Sequence, residues 1–137
     1  LVLSTLHSTD TIQTLERLIA MFPSEQHAEL YLRLSLSLVG IVCQRLVLTK
    51  DNQSRYPAVE IMLSSPRIRD LIRKGEINLI KDNMAISRSD GMQTFDQNLL
   101  ELWRNNIISS EEAILHSDSP NNLRLLMEGI SYSELEN

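Results

Sequence analysis

Leu1-Val2-Leu3-Ser4-Thr5-Leu6-His7-Ser8-Thr9-Asp10 is the stretch on which the reading of the fold turns. An apolar, partly β-branched run ends at a histidine, and small oxygen-bearing residues follow at once. Leu1–Leu6 predicts a buried strand. Ser8-Thr9-Asp10 predicts a helix N-cap, with Gln13 in the capping-box position three residues after Asp10. Ile12, Leu15, Leu18, Ile19 and Phe22 continue at helical spacing until Pro23 ends the helix. In open α/β sheets, ligands gather at the carboxyl ends of strands, next to helix N-termini. His7 stands at such a point. An imidazole there can donate to a phosphate, helped by the hydroxyls of Thr5, Ser8 and Thr9 and by helix amides. The alternative is a solvated loop histidine that merely assists the cap.

Working outward, residues 24–48 satisfy two periods at once. Leu30, Leu32, Leu34, Leu36 and Leu38 alternate as a strand would, whereas Leu30, Leu34, Leu38 and Ile41 fit a helix. The stretch is too long for an ordinary strand, so a helix to Gln44 and a strand at Leu46–Leu48 are expected. Lys50–Ser54 is a polar turn, and Ala58–Leu63 reads as another strand. Beyond this the chain reads as all helix. Ser65-Pro66 starts a helix that Gly75 stops, and a second runs from Glu76 to Ser87. Thr94 with Gln97 and Ser109 with Glu112 are capping boxes, and Ser119-Pro120 opens the last helix. Glu134–Asn137 reads as a frayed acidic end. Three short strands widely spaced in sequence make a poor sheet alone. They are expected to complete a sheet whose other strands lie upstream of Leu1, so the chain reads as a fragment.

The 137 residues are enough for one core-bearing domain without disulfides. Thirteen basic against eighteen acidic residues give a net charge of -5, which excludes a pervasive basic surface for nucleic acid. One cysteine, Cys43, excludes an internal bridge and a zinc ribbon; it reads as a small core residue rather than a nucleophile. No apolar run reads as a membrane span. His7 and Asp10 are a weak pair of metal ligands, Asp10 reads as a cap, and no metal site is expected. Arg67, Arg69, Arg73 and Lys74 crowd the helix that carries Ile68, Leu71 and Ile72. Such a helix either presents cations to a partner's carboxylates or phosphates, or is simply solvated on one face. No G-x-x-x-x-G-K-[ST] loop is present.

Taken in order, several stretches resemble one family. Leu3-Ser4-Thr5-Leu6-His7-Ser8-Thr9-Asp10 resembles the histidine box of the secretion ATPases. The helix from Leu15 to Phe22-Pro23 and the stretch Val42-Cys43-Gln44-Arg45-Leu46 resemble the segments that follow it. Ser65-Pro66-Arg67-Ile68-Arg69-Asp70-Leu71-Ile72-Arg73 is similar to the retraction signature A-I-R-N-L-I-R-E, with Arg67, Asp70 and Lys74 where that signature has Ala, Asn and Glu. Gly91-Met92-Gln93-Thr94-Phe95-Asp96-Gln97 is similar to G-M-Q-T-[LF]-D. The chain is identified on this basis with the C-terminal portion of the type IV pilus retraction ATPases, the PilT/PilU family. Arg73–Glu76, Leu79–Asp82 and His116–Ser119 favour the PilU branch.

The resemblance implies an α/β, helix-rich fold. Residues 1–64 would be part of a RecA-like P-loop ATPase core, and residues 65–137 a helical subdomain. It implies a hexameric motor, cytoplasmic and peripheral at the bacterial inner membrane, that uses ATP and Mg2+ to retract pili. The P-loop, Asp box and Walker B motifs would lie outside this piece, which alone would be inactive. His7 would touch the γ-phosphate, with Thr5 beside it in the nucleotide site. Arg69, Leu71, Ile72 and Arg73 would belong to the helix that couples nucleotide state to retraction. The implied partners are other copies of the chain, the inner-membrane pilus assembly platform and a second retraction ATPase, with no nucleic acid. Two readings compete. One is a non-catalytic helical module that binds its partner through Arg67–Lys74. The other is a type II secretion or pilus-extension motor, disfavoured by the lack of CxxC pairs.

Overall fold

The computed structural model describes residues 1–129. The expected acidic end at Glu134–Asn137 lies outside them. The described elements are α1 (Thr11–Ala20), α2 (His27–Ser37), β1 (Gly40–Leu48), β2 (Arg55–Leu63), α3 (Pro66–Lys74), α4 (Ile80–Ile86), α5 (Phe95–Arg104), α6 (Ser110–His116) and α7 (Pro120–Met127). Short 3₁₀ turns precede α2, α4 and α5.

β1 and β2 pair with each other in a two-stranded sheet. Thr49 N–H donates to Ser54 O at one end of the hairpin, and Ser64 N–H donates to Val39 O at the other. That antiparallel register sets Cys43 opposite Glu60 and Ile41 opposite Met62. Ile41, Cys43 and Val47 point inward while Val42 and Leu46 on the other face stay exposed, the period-two pattern of a half-covered sheet. The outer edge of β2 is occupied by a bridge between Ile61 and Gln93.

By compactness the chain groups into two units, each discontinuous in sequence. The first comprises Leu1–Cys43 and Glu60–Gln93. Its core is Leu15, Ile19, Ile41, Met62, Ile68, Leu71, Ile72, Ile80 and Met84, all buried. Burying each such side chain contributes about 1.5–3 kcal/mol. The second comprises Gln44–Val59 and the described residues from Thr94 on, built on Val47, Ala58, Phe95, Leu99, Ile108, Ala113 and Leu123.

Several sequence expectations change. Leu1–Leu6 forms no strand, and Leu1, Val2 and Leu3 are almost wholly exposed. A strand needs a neighbour for its backbone groups, and the sheet of the described residues has only β1 and β2. The helix expected to reach Gln44 stops at Ser37, and a strand begins at Gly40. Pairing with β2 selects the period-two reading of a stretch that satisfies both. A Cβ at Gly40 would lie 2.8 Å from Met62 O, so the close approach of the strands there needs a glycine. The later strands, expected to lack partners, thus supply each other's. The helix expected from Glu76 splits into a 3₁₀ turn at Ile77–Leu79 and α4. Ser119 does not cap α7 with its side chain; Asp96 Oδ2 accepts the Ser119 N–H instead, at 3.0 Å.

Candidate functional site

His7 lies in the coil that enters α1, and both it and Thr5 are exposed. The first turn of α1 holds that coil from one side. Asp10 caps the helix, accepting from Gln13 N–H at 2.9 Å. The Gln13 side chain reaches back one residue further than a capping box would, and accepts from Thr9 N–H at 2.9 Å. Ser8 Oγ and Thr14 Oγ1 lie 2.6 Å apart, and Thr14 also donates to Asp10 O at 2.7 Å. The two residues that follow His7 are therefore tied to the helix, while the imidazole itself faces solvent.

Below this turn lies a polar group embedded in the core. Glu60 is fully buried on β2, and its Oε1 accepts from Thr11 N–H at 2.9 Å. Its Oε2 lies 3.5 Å from Lys81 Nζ on α4. Opposite it, Cys43 is buried 3.8 Å from Thr14 Oγ1. Burial pushes the Cys43 thiol up, and the nearby Glu60 charge acts in the same direction. The thiol is therefore a poor nucleophile and a packing residue.

This arrangement corrects one expectation. The amides of Thr11 and Gln13 already serve Glu60 and Asp10, so those helix amides do not assist in holding a phosphate. The imidazole of His7 and the hydroxyl of Thr5 are both exposed ahead of the helix. These are hydrogen-bonding groups suited to a phosphate oxygen. Among the described residues no group of three His, Cys, Asp or Glu side chains is placed to hold a metal ion.

The second set of expected residues lies on α3. Ser65 caps it, accepting from Ile68 N–H, Pro66 occupies its first turn, and Gly75 ends it in the left-handed region at φ 74. Leu71 and Ile72 are fully buried and hold the helix to the first unit. Arg69 and Arg73 are exposed. Arg69 Nε donates to Ser64 Oγ at 2.9 Å. Asp70 is ringed by Lys74 Nζ at 2.7 Å, Arg73 at 2.8 Å and Arg67 at 3.7 Å. Hydrogen bonds from Lys74, then Arg73, hold its carboxyl well below the usual range, at about 2. No hydrogen bond or ion pair among the described residues joins His7 or Thr5 to this helix. Sequence reasoning missed Glu60, although the signal is present: it shares the inward period-two register with Ala58 and Met62.

No family profile matches the chain. It is 43% identical over 136 residues to the type IV pilus ATPase PilU of Pseudomonas aeruginosa, covering 99% of this chain and 36% of that protein. It is 36% identical over 122 residues to the type IV pilus retraction ATPase PilT of the same organism, covering 89% of this chain and 35% of PilT. A crystal structure of the pilus retraction motor PilT with bound ADP superposes with a TM-score of 0.75 at 32% identity, covering 87% of this chain and 33% of that one. In sequence and fold, the chain is similar to one segment of the pilus ATPases PilU and PilT. It spans about a third of the length of the curated relatives it matches. The α/β, helix-rich architecture expected from the sequence is that of the matching stretch of PilT. Among the described residues no helix is long and apolar enough to cross a membrane.

Proposed function

We propose that this segment is the C-terminal part of a hexameric ATPase that powers type IV pilus retraction at the cytoplasmic face of the inner membrane. The observation that carries this reading is the 43% identity to PilU across 99% of the chain. The exposed apolar face of β1, Val42 and Leu46, supports the idea that the rest of the protein packs over it. Under this reading the P-loop, Walker B motif and Mg2+ ligands come from that remainder, and the segment alone does not hydrolyse ATP.

His7 donates to the γ-phosphate, with Thr5 adjacent, and Arg69, Leu71, Ile72 and Arg73 form the helix that transmits nucleotide state. Leu71 and Ile72 do so by fixing α3 in its unit, while Arg69 and Arg73 remain available to a partner such as the assembly platform or a second retraction ATPase. The test is a strain lacking the whole gene. Cells that keep surface pili but lose twitching support a retraction motor. Cells that lose pili contradict it and favour an extension motor.

A further inference from the structure

We propose that Glu60 is a positioning residue that ties the His7 loop to the strand leading into α3. This rests on the reading of His7 given above. Taking a carboxylate wholly out of water is costly, and an apolar residue of similar volume in its place is often neutral or stabilising. Its neighbours on the same face, Ala58 and Met62, are apolar and equally buried. What Glu60 adds is a fixed distance between two elements. Its Oε1 holds the N–H of Thr11, the first helical residue of α1. From there back to His7 the chain is short and held at each step, through Gln13 to Thr9 and through Thr14 to Ser8. In the other direction β2 ends at Leu63, Ser64 N–H is bonded to Val39 O, and Ser65 caps α3. Lys81 holds the second carboxylate oxygen from α4. A shift of the His7 loop as it engages or releases a phosphate is thereby passed to the strand that carries α3, rather than absorbed by a loose turn.

The test is a double-mutant cycle on ATP turnover by the full-length motor, with Glu60→Val, Glu60→Gln and His7→Ala. Val removes the acceptor for Thr11 N–H, whereas Gln keeps it without the charge. A residue acting through His7 shows non-additivity. Glu60→Val is expected to lower kcat about tenfold with KM changed less than about twofold, and Glu60→Gln to recover part of that loss. In the His7→Ala background, Glu60→Val should change kcat by less than about twofold. Equal losses in both backgrounds, or wild-type kcat in Glu60→Val, would overturn the positioning role while leaving His7 in place. Wild-type kcat in His7→Ala alone would remove the His7 reading, and this one with it. Should Glu60→Val fail to fold, the same cycle with Glu60→Gln decides: a loss of about threefold that vanishes beside His7→Ala supports the role, and a loss that persists overturns it.

Discussion

The guanidinium of Arg45 stacks over the ring of Phe95, 3.9 Å from its centre. From that position Nη1 donates to His116 O at 2.7 Å, and Nη2 donates to Asp118 Oδ1 at the same distance. One side chain from β1 thus holds the start of α5 and the turn between α6 and α7. It is four-fifths buried, so solvent screens the ion pair little. Arg45→Ala should lower stability by about 2–3 kcal/mol, because it removes two charge-assisted hydrogen bonds and the stacking on Phe95. Arg45→Lys should recover less than half of that, since an ammonium lacks the planar fork. Urea unfolding of the two variants against the parent checks both values.

Gly75 ends α3 with a positive φ, and a Cβ there would lie 3.3 Å from Tyr31 Cε2 on α2. Left-handed backbone costs an L-residue about 1–2 kcal/mol, and the Tyr31 ring must also move aside. Gly75→Ala should therefore lower the melting temperature by roughly 4–12 °C for a domain of this size. An unchanged melting curve would refute the assignment of this helix stop.

Asp70 gives a pH signature. Its carboxyl sits at about 2 in the folded chain, below its ordinary 3.8, because of Lys74 and Arg73. A depressed folded value means that the contribution is present above the unfolded value and is lost as pH falls through the folded one. The stabilisation should be complete above about pH 5, fade between about pH 4 and 2, and weaken with added salt, since the cluster is on the surface. Asp70→Asn should flatten that part of the profile. The check is the urea midpoint measured from pH 2 to 6 at low and high salt.

How much was legible in the sequence depended on how local the determinant was. Asp10, Ser65-Pro66, Gly75 and the Thr94–Gln97 box set helix ends through bonds spanning a few residues, and the structure shows each as expected. The α2–β1 boundary was not legible. The leucines from 30 to 38 fit both periods, and only the partner strand, which is distant in sequence, decides between them. The Leu1–Leu6 strand failed for a related reason: its composition is right, but a strand cannot exist without a neighbour. At the candidate site, the Asp10 cap beside His7 is local and was legible, whereas the role of His7 remains the proposal made above. Glu60 shares the inward register of Ala58 and Met62, but its partner Thr11 lies 49 residues away, so the strand pattern marks the position as buried without showing what the carboxylate bonds. Ser109 and Glu112 show the same limit. Ser109 caps α6 as expected, but Glu112 spends its carboxylate on Leu48 N–H at 2.6 Å.

The most direct test of a phosphate-contacting imidazole at position 7 is ATP turnover by the full-length motor carrying His7→Ala, with the fold checked by circular dichroism. Losing one donor to transition-state charge lowers kcat about 10²–10³-fold. A fall of that size with an unchanged spectrum is the expected result. Turnover equal to the parent's would contradict it and leave His7 a solvated loop residue beside a helix cap.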